Sequence, residues 1–200
     1  RFAGTADFNG SGQVDFLFQN QDGRVAAWLM DGITRTNSIL FPASPPTQRL
    51  IGAGDFNYNI QPDLLFQRPD GQLRVWIMNS AHQRVSIQSL QHLNPAWRAI
   101  TVADFNKDGS ADIFFQNPNT GHIAIWIMNG LVRQDFIVLD PTSWRLAAVR
   151  DINNDGHSDL IFQKGGKSAA WLMNGTNRTS VVYFREGISV ADTWTLVGAR

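Results

Sequence analysis

The sequence predicts an all-β fold: a β-propeller of four-stranded antiparallel blades, with four blades and the first strand of a fifth in this chain. Three features carry that reading. A unit of 47 to 49 residues recurs four times, and repetition at such a period signals a repeat architecture. Each unit holds four short stretches rich in Val, Ile, Phe and Trp, divided by turn residues and free of a 3.6-residue period. The second and third stretches are apolar on both faces, so each sheet must be covered on both sides. Four-stranded meanders stacked face to face around an axis meet that need.

The units fall at about 1–48, 49–97, 98–144 and 145–194 of a single propeller domain or propeller fragment, and 195–200 starts a fifth. A first strand (Leu50-Ile-Gly-Ala-Gly, Ala99-Ile-Thr-Val-Ala, Leu146-Ala-Ala-Val-Arg) runs into an Asp-bearing loop. The second strand ends in Gln19, Gln67, Gln116 or Gln163, and a Gly-bearing turn follows. The third centres on Trp28, Trp76, Trp126 or Trp171, which the apolar pattern assigns to the core. Asp31-Gly32, Asn129-Gly130 and Asn174-Gly175 then permit positive φ at both turn positions, as a tight hairpin needs. A more polar fourth strand, such as Val85–Leu90, completes the unit. The segment Trp194-Thr-Leu-Val repeats the first-strand pattern of Trp97-Arg-Ala-Ile and Trp144-Arg-Leu-Ala. Three arrangements fit it: a piece of a larger ring, a four-bladed ring whose last strand displaces its first, or a ring completed by self-association.

Composition narrows the partners. Formal net charge is zero, which leaves no electrostatic footprint for nucleic acid or an anionic membrane. The fourteen Arg and three Lys are spread through the repeats, which reads as solvated or ion-paired surface. Cysteine is absent, which removes disulfides, zinc-thiolate sites and thiol catalysis. No apolar run is long enough to span a bilayer as a helix, so membrane insertion is not expected. The chain begins at Arg1 rather than Met, as a processed or excised piece would.

Ten of the sixteen Asp residues fall in four loops between the first and second strands, and Glu186 is the single glutamate. Short carboxylates and amides at alternating positions, with a Gly turn, are what a hard cation needs, because it takes several oxygen ligands at close range. The most complete loop lies within Ala103-Asp-Phe-Asn-Lys-Asp-Gly-Ser-Ala-Asp112, and Trp126-Ile-Met-Asn-Gly130 follows it. These words, repeated along essentially all 200 residues, resemble the FG-GAP and VCBS-type repeats of integrin α chains and many secreted bacterial proteins. The Phe-Gly and Gly-Ala-Pro words of the integrin form are missing, so the likeness is closer to the bacterial form. The resemblance implies a propeller with Ca²⁺ bound between the first and second strands of each blade.

In such a loop, side chains at positions one, three, five and nine and the carbonyl at position seven supply oxygen, and Gly at six permits the turn. The third loop offers Asp104, Asn106, Asp108, the Ser110 carbonyl and Asp112; the fourth offers Asp151, Asn153, Asp155, the His157 carbonyl and Asp159. The first has Asp7, Asn9, Ser11, the Gln13 carbonyl and Asp15, with a hydroxyl in place of a carboxylate. The second has Asp55, Asn57, Asn59, the Gln61 carbonyl and Asp63, but Ile60 stands where Gly is expected, and a β-branched residue resists positive φ. The expected affinity order is third and fourth, then first, then second. The competing reading is an Asx-rich turn held by its own side-chain to backbone bonds.

Loops joining strands one to two and three to four must share one face, and the four-to-one connections lie on the other. Those connections vary most, which often marks the binding side of a repeat protein. Three of them end in Trp97, Trp144 and Trp194, while Gln48 takes that place in the first. Such rings either wedge between blades or stack on a sugar. The recurrent Gln reads as a structural hydrogen bond. The four His occupy non-equivalent places with no nucleophile motif, so no enzyme is expected. The reading is a calcium-stabilised, lectin-like carbohydrate-binding module, extracellular or at the cell surface, whose partner is a glycan or a cell-surface protein. The alternatives are an adhesion surface like that of integrin α chains and an accessory domain of a secreted enzyme.

Overall fold

The computed structural model describes residues 1–184. It holds sixteen strands in four separate antiparallel sheets, each in simple sequential order. Blade 1 comprises β1 (Phe2–Ala6), β2 (Asp15–Gln19), β3 (Val25–Asp31) and β4 (Thr34–Phe41). Blade 2 comprises β5 (Arg49–Gly54), β6 (Asp63–Gln67), β7 (Leu73–Met78) and β8 (Arg84–Ser89). Blade 3 comprises β9 (Arg98–Ala103), β10 (Asp112–Gln116), β11 (Ile123–Asn129) and β12 (Val132–Leu139). Blade 4 comprises β13 (Arg145–Arg150), β14 (Asp159–Lys164), β15 (Lys167–Asn174) and β16 (Asn177–Tyr183). The expected all-β propeller is therefore present. The first strand of a fifth blade and Trp194 lie outside the described residues. No helix among the described residues is long and apolar enough to cross a membrane.

Alternation along the two middle strands builds the packing. In β11, Trp126 and Met128 turn toward blade 2, where they meet Leu65, Val75 and Ile77. Ile123 and Ile125 point the other way, into a cluster with Leu160, Phe162 and Trp171 of blade 4. Between blades 1 and 2, Leu17, Ala27 and Leu29 face Leu64, Phe66, Trp76 and Met78. Each interface thus sets the aromatic side of one blade against the aliphatic side of the blade before it. Burial of these apolar areas is the main favourable term.

The first strands β1, β5, β9 and β13 lie innermost. Thr5, Ala53, Val102 and Val149, one from each, surround a common axial opening. The fourth strands form the outer rim, and β16 is exposed along its whole length. In every blade the third and fourth strands slip register just after the Trp, for instance at Ile127/Met128. Such bulges add twist and bend a sheet. No turn residue in the sequence announces them.

One expectation needs correcting. Trp76, Trp126 and Trp171 are buried, but Trp28 is 40% exposed. Its sheet position is equivalent, with Trp28 opposite Phe16 as Trp126 is opposite Ile113. The difference is tertiary: among the described residues no blade covers the aromatic side of blade 1.

Candidate functional site

The loops between first and second strands owe their shape to two buried anchors. At position two, Phe8, Phe56 and Phe105 sink into the interblade clusters. At position nine, Asp15, Asp63, Asp112 and Asp159 are fully buried. Each of these carboxylates accepts two backbone N–H groups. Asp112 takes Phe105 N–H through Oδ2 (2.8 Å) and Met128 N–H through Oδ1 (2.8 Å). Asp15, Asp63 and Asp159 repeat the pattern with Phe8 and Met30, Phe56 and Met78, and Ile152 and Met173. The ninth residue therefore clips its loop to the third strand of its own blade. Burial pushes the carboxyls of Asp63 and Asp112 up to about 6, against the opposing pull of those N–H donors.

Positions one, three and five converge above this clip. The Asp108 N–H is shared by Asp104 Oδ1 and Asn106 Oδ1, both at 3.2 Å. Ser11 N–H is shared likewise by Asp7 and Asn9, and Asn59 N–H by Asp55 and Asn57. The position-five oxygens of Ser11, Asn59, Asp108 and Asp155 accept the N–H of Gln13, Gln61, Ser110 and His157, which draws position seven inward. That N–H is the main reason the Asp155 carboxyl lies below its ordinary range. The structure thus ties the side chains of one, three and five to the backbone of the same turn, and turns nine toward the strand beneath. Among the described residues no three His, Asp or Glu side chains gather as a metal-holding group. The side-chain oxygens of positions three and five are amide at Asn9, Asn57, Asn59, Asn106 and Asn153, hydroxyl at Ser11, and carboxylate at Asp108 and Asp155.

The donor set still fits a hard cation. A carboxylate has about four lone-pair sites, so one or two N–H bonds do not exhaust it. In the fourth loop, Asp151 Oδ2 accepts Gly156 N–H (2.9 Å), while Asp151 Oδ1 is buried without a partner. A buried acceptor left unmade is costly, and a Ca²⁺ held by Asp151, Asn153 and Asp155 would satisfy it.

Backbone conformation explains the glycines and one surprise. Gly12, Gly109 and Gly156 hold φ of +78°, +86° and +91°, and Ile60 takes the same place at +70°. The second loop therefore adopts the common shape despite its β-branched residue. Position four is also left-handed, at Gly10, Tyr58, Lys107 and Asn154, a requirement not read from the sequence. Tyr58 Oη donates to Asn129 Oδ1 (2.7 Å) and Ala111 N–H to the Asp55 carbonyl (3.2 Å), so the second loop is tied to blade 3.

The opposite face carries the four-to-one connections, as expected. They press on the turns between second and third strands. A Cβ on Gly71 would stand 2.5 Å from the Leu93 carbonyl oxygen, and one on Gly121 2.4 Å from that of Thr142. The recurrent Gln joins neighbouring blades. Gln67 donates to the Trp97 carbonyl (2.9 Å) and accepts Ala99 N–H (3.0 Å). Gln116 does the same with Trp144 and Leu146, and Gln19 with Gln48 and Leu50. So it is a structural bond, and it locks the first strand of the next blade.

Trp97 and Trp144 are half-buried and do two things. Each packs on an interblade cluster, Trp97 edge-on to Phe136 (6.2 Å between centroids) and Trp144 beside Tyr183 (6.0 Å). Each also lines a cavity: about 530 Å³ at Trp97 and about 200 Å³ at Trp144. The larger cavity reveals what the sequence reading missed. Arg49, Arg98 and Arg145, at the starts of β5, β9 and β13, line it together with Arg68. The signal was present, since an Arg opens the first strand of each of these repeats. A second missed element is an Arg over every third-strand Trp: Arg35, Arg84, Arg133 and Arg178 lie 4.3 to 5.0 Å from the ring centroids.

Fold and loops together define a repeat propeller with one Asp/Asn loop per blade. The FG-GAP-like repeat profile matches residues 55–115 and 104–162, more than half of the sequence, and the chain belongs to that family. No curated protein matches. Among solved structures, virginiamycin B lyase from Staphylococcus aureus is similar at a TM-score of 0.51 and 13% identity, over 93% of this chain and 56% of that one. BBS1N in complex with ARL6DN aligns at a TM-score of 0.49 and 11% identity, over 90% of this chain and 56% of that one. At 13% identity the likeness to the lyase structure speaks of fold alone. The chain spans little more than half the length of these structures.

Proposed function

We propose that the chain is a calcium-stabilised, non-catalytic binding module that works outside the cell and takes a carbohydrate ligand. The calcium part is carried by the side-chain oxygens of positions one and three meeting on the backbone amide of position five, with Asp151 Oδ1 left unpartnered. Millimolar external Ca²⁺ would fill loops too weak for cytosolic levels. The role of the ion is structural: it would neutralise the crowded carboxylates of a loop whose frame the ninth Asp already fixes. The carbohydrate part is supported by Trp97 in the wall of a cavity of mixed polar and apolar lining on the variable face.

Asp108→Ala tests the first part. It should lower the melting temperature in Ca²⁺ by several degrees, and by much less in chelator; equal losses would assign Asp108 to the turn alone. A glycan array probed in Ca²⁺ tests the second. The absence of any sugar signal would shift the reading to a protein-adhesion surface.

Self-association is a second partner reading, favoured by the uncovered side of blade 1. Phe16, Phe18 and Trp28 stand there, with Phe18 and Trp28 centroids 4.7 Å apart. The three internal interfaces cover the equivalent side with an aliphatic blade face. A second copy offers such a face through Ile161 and Leu172, both half-exposed on blade 4. Sedimentation velocity should show a concentration-dependent dimer that Trp28→Arg abolishes; a monomer at all concentrations would remove this reading.

A further inference from the structure

We infer that the 530 Å³ cavity on the connection face is a site for acidic sugars, meaning glycans that carry carboxylate or sulfate groups. The inference rests on the carbohydrate reading above and names the ligand class for that same site. Four guanidinium-bearing residues, Arg49, Arg68, Arg98 and Arg145, come from three blades to one concavity, and no Asp or Glu is among its described lining residues. The side-by-side stacking of blades 2, 3 and 4 is what brings them together. Arg49, Arg98 and Arg145 each open an innermost strand, and innermost strands crowd the axis.

Their directions are set by the frame. The Arg49 guanidinium donates to the Ala99 carbonyl and to Gln67 Oε1, the amide that also clasps Trp97. Arg145 donates to Gln163 Oε1 (2.9 Å). Arg68 leans on Asp70 at 3.2 Å, with both side chains well exposed, so little of its reach is spent. Arg98 is exposed at the rim. A planar guanidinium presents paired N–H donors that match the two oxygens of a carboxylate or sulfate. Trp97 adds an apolar wall, and Thr47 adds a neutral polar group for hydroxyls. An aromatic wall beside convergent cations suits a sugar ring bearing an anion better than a neutral sugar or a bare ion. The volume lies in the ordinary range for small-ligand sites, roughly 300–1,000 Å³.

The test is titration calorimetry of the calcium-loaded chain, with Trp fluorescence read alongside. The probes are oligogalacturonate (carboxylate), heparin-derived tetrasaccharide (sulfate), a neutral maltotetraose, and sodium sulfate and acetate alone. Binding is expected for one or both acidic oligosaccharides, and maltotetraose should bind at least about tenfold more weakly, as expected when charged hydrogen bonds are lost. Affinity should fall on going from about 0.05 to 0.3 M NaCl as charges are screened. Arg98→Gln should weaken binding about tenfold with an unchanged melting temperature, because the side chain is exposed, while Arg24→Gln, exposed in a blade 1 turn outside the cavity, should leave binding unchanged. Equal, salt-insensitive binding of maltotetraose would overturn the inference and leave the carbohydrate reading standing. Binding of sulfate or acetate that Arg98→Gln abolishes, with no oligosaccharide bound, would remove the sugar and leave a simple anion site. Binding of no probe at all would overturn both the inference and the site.

Discussion

Ile60 shows how a repeat imposes its geometry on a poor residue. Its neighbours at positions one, three and nine hold the loop, and Ile60, at φ +70°, donates its N–H to Asp55 Oδ2 at 2.7 Å. Its side chain is 87% exposed, so nothing offsets the strain by burial. Ile60→Gly should therefore raise stability by about 1 kcal/mol, read from the urea midpoint. The buried carboxyls of Asp63 and Asp112 set a second expectation. Their folded values of about 6 lie above the ordinary 3.8, so the folded chain binds more protons than the unfolded chain between those limits. Stability then falls as pH rises through that window. In chelator the urea midpoint should be higher at pH 5 than at pH 7. Below the window Asp22 and Asp155, both held low, act in the opposite sense. A midpoint that falls steadily from pH 7 to 5 would contradict this account.

The third strand of each blade carries most of the packing, because its two faces serve two interfaces. Trp126 is closed in by Phe115 and by the aliphatic side of blade 2, with Arg133 across its ring. Trp126→Ala should cost about 3–5 kcal/mol. Trp28 has the same strand position and the same stacked Arg, but one side open to water. Trp28→Ala should cost about 1 kcal/mol, since less apolar area leaves water on folding. Chemical denaturation of both variants checks the contrast; equal losses would mean that the outer side of blade 1 is covered in solution. The two buried clips belong to this level as well. The ninth Asp ties second strand to third within a blade, and the Gln four residues later ties second strand to the next blade's first. Both are ends of one five-residue strand, such as Asp63–Gln67.

For the whole molecule, the axis creates relations that no single repeat contains. Three arginines that are about fifty residues apart along the chain meet at one cavity, which the connections and turns of neighbouring strands also line. The same stacking leaves blade 1 with an aromatic side that lacks a neighbour among the described residues. An otherwise uniform repeat thus becomes a molecule with distinct ends and distinct faces.

Much of this was legible beforehand. Strand alternation, Gly-bearing turns and the period set four-stranded blades, because side-chain direction in a strand is fixed by parity. The same parity put Trp126 and Ile125 on opposite faces and the Asp loops on one rim. Recurrence of Gln marked a structural bond, although its partner across the interface could not be read. What parity cannot give is which faces meet. The burial of Trp76 against the exposure of Trp28 and the meeting of Arg49, Arg98 and Arg145 depend on rigid-body placement of blades. That placement is set by side-chain packing summed over whole interfaces, so no local stretch of sequence encodes it.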